Sequence, residues 1–340
     1  MIDFRYHLVS VVAIFLALAV GLLLGSTVLR PYALKGLQAV SKGQQHEIDS
    51  LLQTRDQLQR EVAAGNQFAQ ANAEQLLHQL LEGERVVLVV APGAPESVTS
   101  GVTQALGMAG ATVTGQLQFQ APFFDTSPAG SEKLAQLAEH LAPLGMTLSG
   151  SAQAQASQLI ANMVLTKDGP GQPVAGQRDS TSEAVLNGLA AEGYVTPTGD
   201  PWDRATLAVV IPPAAPASTQ DSNAASQALV TLAQQLDLAG LGTVVAGSTG
   251  GSGPGSAIDV MRAGGRAGHL SSVDNADTPA GQVVVAQALF DLMHGKNGSY
   301  GVSSTANSGA PSPAPSPSPT APATSVAANT KVGHSGARTP

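Results

Sequence analysis

Residues Leu8 to Leu29, LVSVVAIFLALAVGLLLGSTVL, form an unbroken run of 22 residues without a charge. As a helix this run is about 33 Å long, enough to cross a hydrocarbon layer of about 30 Å. Arg5 and His7 precede it and Arg30 follows. Phe4, Tyr6 and Tyr32 stand where interfacial aromatic anchors are expected. A secretory signal peptide has a shorter apolar region, about 7–15 residues, and ends in a small-x-small site. Here no such site ends the run, and the Ala17-Leu18-Ala19 triplet lies in its middle. The expectation is an uncleaved signal anchor at 8–29 behind a cytoplasmic leader at 1–7, in a single-pass membrane protein with its bulk outside the cytoplasm. Charge opposes that orientation, because Arg30, Lys35 and Lys42 lie on the far side while Asp3 offsets Arg5.

The rest of the chain narrows the function classes. Only 12% of the 340 residues are charged and the net charge is −8, which argues against a nucleic-acid partner that would meet phosphates through a basic face. The absence of cysteine removes disulfides, thiolate metal sites and cysteine nucleophiles.

Residues 30–84 read as a helical stalk. Leu34, Leu37, Ile48, Leu51, Leu58, Val62, Ala69 and Leu76 fall on the a and d positions of a heptad, with Ser41, Gln44, Arg55, Gly65, Asn72 and Gln79 as polar or small interruptions. The core seam expected is Leu37, Ile48, Leu51, Leu58, Val62 and Leu76. Such a seam joins a second copy, as a homodimer or higher oligomer, or binds an envelope protein. The alternative is an amphipathic helix folded back onto the next domain. Gly65-Asn66 is a candidate break between two helices.

From Arg85 the pattern alternates. Val86–Val90, Ala111–Phe119, Thr206–Ile211, Thr243–Ala246 and His269–Val273 read as strands. Helices are expected from Pro95 to about Met108 and over 131–141, 153–165, 182–192, 223–238, 256–262 and 278–294. Strands apolar on both faces, alternating with helices, imply a mainly parallel, Rossmann-like α/β domain at 85–302. The Pro-, Ser- and Ala-rich segment 303–340 reads as a disordered tail.

Catalytic motifs are weak. No Walker A sequence occurs. The glycine-rich Gly247–Ser256 lacks dinucleotide spacing and reads as a strand-to-helix turn. Ser248 lies in a near miss of a nucleophile elbow, with His269 and His294 as distant bases. No catalytic residue, cofactor site or enzymatic activity is expected. The histidines form no ligand pair, and Met293-His294 is the only adjacent soft and imidazole pair. Asp274 and Asp277, beside the N-cap Thr278 and Pro279, could hold a cation at the sheet edge or fix a loop.

Two segments carry a resemblance. The opening MIDFRYHLVSVVAIFLALAVGLLLGS, with Asp3, Phe4, Arg5, Tyr6 and His7, resembles the start of the actinobacterial copper-transporter family, the MctB-like proteins. SSVDNADTPAGQVVVAQALFDLMHGKNGSYGV, with Asp274, Asn275, Asp277, Thr278, Gly281, Tyr300 and Gly301, is similar to its second hallmark. The resemblance spans about residues 1–302. It implies copper homeostasis, efflux across the outer envelope and pore formation, with copper as the only ligand suggested. One transmembrane helix cannot enclose a pore, so association would be required; Gly21 and Gly25 form a GxxxG face suited to it. A second reading, from the anchor and stalk alone, is an envelope scaffold whose partner controls cell-wall hydrolysis.

Overall fold

The computed structural model describes residues 3–167, 169, 172–214, 220–264 and 269–312, with side chains described except at 3–4, 26–40 and 220–222. Two compact units are present, residues 1–65 and 66–340. The first contains most of helix α1, which spans Asp3–Leu77. Its segment Arg5–Gly25 is long and apolar enough to cross a membrane. The helix does not break at Gly65-Asn66. One glycine costs about 1 kcal/mol relative to alanine, and the flanking Ala63, Ala64, Ala69 and Ala71 are strong helix formers.

The second unit is built on a seven-stranded sheet. Its strands are β1 (Arg85–Val90), β2 (Thr112–Phe119), β3 (Val195–Gly199), β4 (Leu207–Ile211), β5 (Gly242–Ala246), β6 (Ser271–Val273) and β7 (Ser299–Tyr300), in the spatial order β3-β2-β1-β4-β5-β6-β7. All neighbours are parallel except β2 and β3. The central strands are apolar on both faces because both faces are covered. Val87, Val89, Ala208, Val210 and Val245 face one core layer, under helices α3 (Pro128–Leu141), α4 (Ala152–Val164), α5 (Ser180–Ala191), α6 (Gln220–Ala239) and α7 (Ala257–Ala263). Val86, Leu88, Val90, Leu207, Val209, Ile211 and Val244 face the other, under α2 (Glu96–Met108) and α8 (Pro279–Met293).

The last turns of α1 belong to that second layer. Ala73 and Leu77 are buried in it, as are Leu80 and Leu81 just past the helix, and the Leu81 N–H donates to the Ala109 carbonyl at 2.8 Å. Buried Ala73 and Leu77 lie off the heptad, whose Ala69 is buried while its Leu76 stays exposed. The folded-back alternative thus describes the stalk's last turns. The α/β fold therefore takes in residues before Arg85, and it also extends past Val302.

Beyond Val302, Asn307 N–H donates to the Ser299 carbonyl at 2.7 Å and Gly301 N–H to the Ser308 carbonyl at 3.0 Å, covering the β7 edge. The rest of the expected tail, 313–340, lies outside the described residues. At the other edge, β3 carries Pro197. The bond from Gln120 N–H to the Tyr194 carbonyl sets the alternation, and Pro197 falls where its nitrogen faces away from β2. The edge so loses a donor that another strand would need.

Candidate functional site

The second hallmark folds into a clasp at the carboxyl end of the sheet. Its centre is Asp274, fully buried just after β6. Its partner is Arg262, in the last turn of α7, at 2.7 Å. Helix α7 is held by Ser256, which accepts from Asp259 N–H at 3.1 Å, while Asp259 accepts from Gly255 N–H at 3.0 Å. This holds Arg262 where all three of its guanidinium nitrogens donate. Nε donates to Ser272 Oγ (2.9 Å), Nη2 to the Tyr300 carbonyl (2.9 Å), and Nη1 to Asp274, Ser303 Oγ (2.8 Å) and Thr305 Oγ1 (3.1 Å).

Asp274 is saturated as well. Oδ1 accepts from Val302 N–H at 2.7 Å and Oδ2 from Ser303 Oγ at 2.6 Å. Burial opposes its ionisation, but Ser303, Arg262 and the Val302 N–H outweigh burial and hold its carboxyl below the ordinary value. Gly301 explains itself here: its φ is +130°, and a Cβ would overlap the Asp274 carboxylate. Tyr300 is buried, and its carbonyl is one of the groups Arg262 holds.

Asp277 fastens a neighbouring loop. Its Oδ1 accepts from Thr249 N–H at 2.8 Å and Thr249 Oγ1 at 2.9 Å. Thr278 caps α8, accepting from Gly281 N–H at 3.1 Å and donating to the Asn275 carbonyl at 2.8 Å. A Cβ on Gly281 would strike that same Asn275 carbonyl. The motif residues Asp274, Asn275, Asp277, Thr278, Gly281, Tyr300 and Gly301 are thus brought together, with hydrogen bonds inside the protein occupying both aspartates.

Doubly wound sheets usually bind ligands where the strand order reverses, here between β1 and β4. In this chain the loops there bond to each other: Ala214 N–H donates to the Gly93 carbonyl at 3.1 Å, and Ser248 Oγ to the Ala214 carbonyl at 3.4 Å. The glycine-rich loop leans on this seal, since a Cβ on Gly251 would crowd the Pro213 and Ala214 carbonyls. Ser248 follows β5 while His269 precedes β6, parallel neighbours paired Val244 to Ser271. The two side chains sit at opposite ends, roughly 15–20 Å apart, and do not form a nucleophile–base pair.

Met293 and His294 lie at the far end of α8, whose 15 residues span about 22 Å. They are therefore separated from Asp274 and Asp277. Met293 packs against the core, and His294 stacks on Phe290 with ring centroids 4.2 Å apart and its Nδ1 at 2.8 Å from the Phe290 carbonyl. Among the described residues no group of three or more His, Cys, Asp or Glu could hold a metal ion.

Sequence reasoning missed Arg262 and Ser303, which complete the clasp. The available signal was an arginine closing a short helix before the hallmark aspartate. It also missed a second knot, where Arg204 meets Asp179 at 2.6 Å and binds the Asn162 and Leu165 carbonyls. In the first hallmark, Arg5, Tyr6 and His7 are exposed on α1, while Asp3 and Phe4 lie where side chains are not described. The same holds for Leu37 of the seam. Ile48, Leu51, Leu58 and Val62 are 56%, 63%, 55% and 62% exposed.

Comparison with known proteins gives one family. The model of a family described as "Copper transport outer membrane protein, MctB" matches residues 1–311. The copper transporter MctB of Mycobacterium tuberculosis is 31% identical over 317 residues, covering 91% of this chain and 98% of its own. The Mycobacterium leprae protein of the same name is 31% identical over 318 residues, with the same coverage.

Proposed function

This chain belongs to the MctB family of copper transport outer membrane proteins, and from that membership we propose that it serves copper homeostasis from a membrane. The observation that carries the reading is the match over residues 1–311, which takes in the apolar helix, the rest of α1 and the α/β domain together. In this reading Leu8–Leu29 is an uncleaved signal anchor, the α/β domain stands outside the cytoplasm, and the chain is not an enzyme. No comparison supports the scaffold reading tied to cell-wall hydrolysis.

Copper is cargo in this account. One spanning helix cannot enclose a path for an ion, and irregular or open-edged structure cannot face lipid. Passage of copper therefore requires several copies or a partner. The exposed Ile48, Leu51, Leu58 and Val62 support a second copy, because a helix with an apolar stripe gains by burying it. Two copies anchored in one membrane run parallel and in register. Arg55 interrupts the stripe at a seam position, and its 2.6 Å pair with Asp56 on the same helix offsets its charge. Met293 and His294 are the soft and imidazole candidates to test first.

The test is cell-associated copper in a strain lacking the protein, grown in sublethal copper, with zinc and nickel as controls. Selective copper accumulation is expected. Unchanged copper, or an equal rise in all three metals, contradicts the reading.

A further inference from the structure

A groove of about 620 Å³ lies between α2 and β2, lined by Val90, Ala94, Thr99, Ser100, Thr103 and Gln118, with Glu96, Gln104 and Gln116 completing it. Its walls break a pattern that holds elsewhere in the domain. Positions 96, 99, 100, 103 and 104 share one flank of α2, and positions 116 and 118 share one face of β2. Helix and strand thus turn polar stripes toward each other across an open gap. The apolar side of α2, Val98, Val102, Ala105 and Leu106, is committed to the core. None of the buried residues in that core layer comes from β2 or β3. On this face the register sets Gln116 beside Thr198 and Gln118 beside Thr196. The result is an amide and hydroxyl grid with spacings of about 5 and 7 Å.

The donor set defines what fits. Thr99, Ser100 and Thr103 spend their hydroxyl protons on the Pro95, Glu96 and Thr99 carbonyls at 3.4, 2.9 and 2.7 Å. Their oxygen lone pairs remain as acceptors. Gln118 Nε2 donates to the Ala91 carbonyl at 3.3 Å, leaving its carbonyl oxygen free to accept, and the Gln116 amide has no protein partner among the described residues. Among the described lining residues Glu96 is the one charged group, an acceptor for two hydroxyls at once. No cation lines the groove, so phosphates and other anions are disfavoured. An extended peptide would pair with a sheet edge, and Pro197 blunts the edge beside this face.

We infer that this groove binds a neutral glycan. Closely spaced, uncharged hydroxyls that both donate and accept match the lone pairs of the helix stripe, the amides of the strand and the Glu96 carboxylate. The small Ala94 methyl, partly exposed, meets the C–H face of the sugar. Without an aromatic platform each sugar unit binds weakly, and a polymer gains by repeated engagement. The inference is independent of copper handling and survives its failure.

The test uses the full chain in detergent, pelleted with microcrystalline cellulose as the neutral glycan. Alginate serves as the anionic polysaccharide and beads bearing a Ser/Thr-rich peptide as the polar polypeptide. The chain should pellet with cellulose and be released by soluble dextran. Each lost hydrogen bond weakens binding about fivefold. Gln116→Ala with Gln118→Ala should therefore reduce binding at least about tenfold. Thr103→Val, an exposed and nearly isosteric change, should weaken it without altering the melting temperature, whereas Gln136→Ala on α3 should change nothing. The inference is overturned if the chain stays in the supernatant with cellulose. It is equally overturned if the substituted forms pellet as well as the original, or if alginate or the peptide retains the chain better.

Discussion

Replacing Asp274 by Asn leaves Arg262 buried without its counter-charge, and breaking such a pair costs about 3–5 kcal/mol. Gly301→Ala should be comparably damaging, since the new methyl group enters the space of the Asp274 carboxylate at a backbone angle that L residues avoid. Urea unfolding of the single variants checks both. The pH dependence follows from the depressed carboxyl of Asp274. Its contribution is complete above the ordinary carboxylate range and is lost as pH falls through its lower folded value. The Asn variant should lack that acid-range loss. Asp291 has the opposite sign: burial raises its carboxyl against the pull of Lys296 and His294. Asp291→Asn should therefore stabilise the domain at neutral pH, and the gain should vanish at acid pH, where Asp291 is protonated. At this scale the chain was half legible. Thr278 declared itself as a cap by its Pro and Gly neighbours. The use of Asp274 was harder to see: Arg262, 12 residues before it, left only the weak signal of an arginine closing a short helix, and Ser303 lies 29 residues on.

Helix α1 serves two units, and its two apolar segments should respond differently to truncation. Leu77→Ala opens a cavity in the α/β core and should cost about 2–5 kcal/mol. Leu58→Ala, at an exposed position outside both core layers, should leave the melting of the α/β domain unchanged while reducing self-association. Chemical crosslinking of the full chain in detergent, with and without the substitution, separates the two effects; equal crosslinking would remove the seam from the account. The double-sided strands β1, β4 and β5 were readable because a buried parallel strand has no polar face. β3 was not, since Pro197 within Thr-Pro-Thr resembles a loop until the pairing with β2 is known. The end of the stalk was misjudged because a heptad and a helix packed on a sheet share their apolar spacing over a few turns. Burial alone assigns Ala73 and Leu77 to the domain.

For the whole molecule, one apolar helix precedes an α/β domain in which the loops after β1, β4 and β5 bond to each other at the usual ligand crevice. The order of an apolar N-terminal helix and a mainly parallel α/β domain was legible in the sequence, and the family match extends over both. A copper site was not legible, since the Met293-His294 pair and the two hallmark aspartates sit about a helix length apart. The central claim is that the chain lowers cellular copper from a membrane. It is tested most directly by returning either the full chain or residues 66–340 to a strain lacking the protein, and measuring cell-associated copper, zinc and nickel. The account predicts that the full chain restores low copper, that the anchorless chain does not, and that zinc and nickel stay level throughout. Restoration by the anchorless chain, or copper that is indifferent to both, would contradict it.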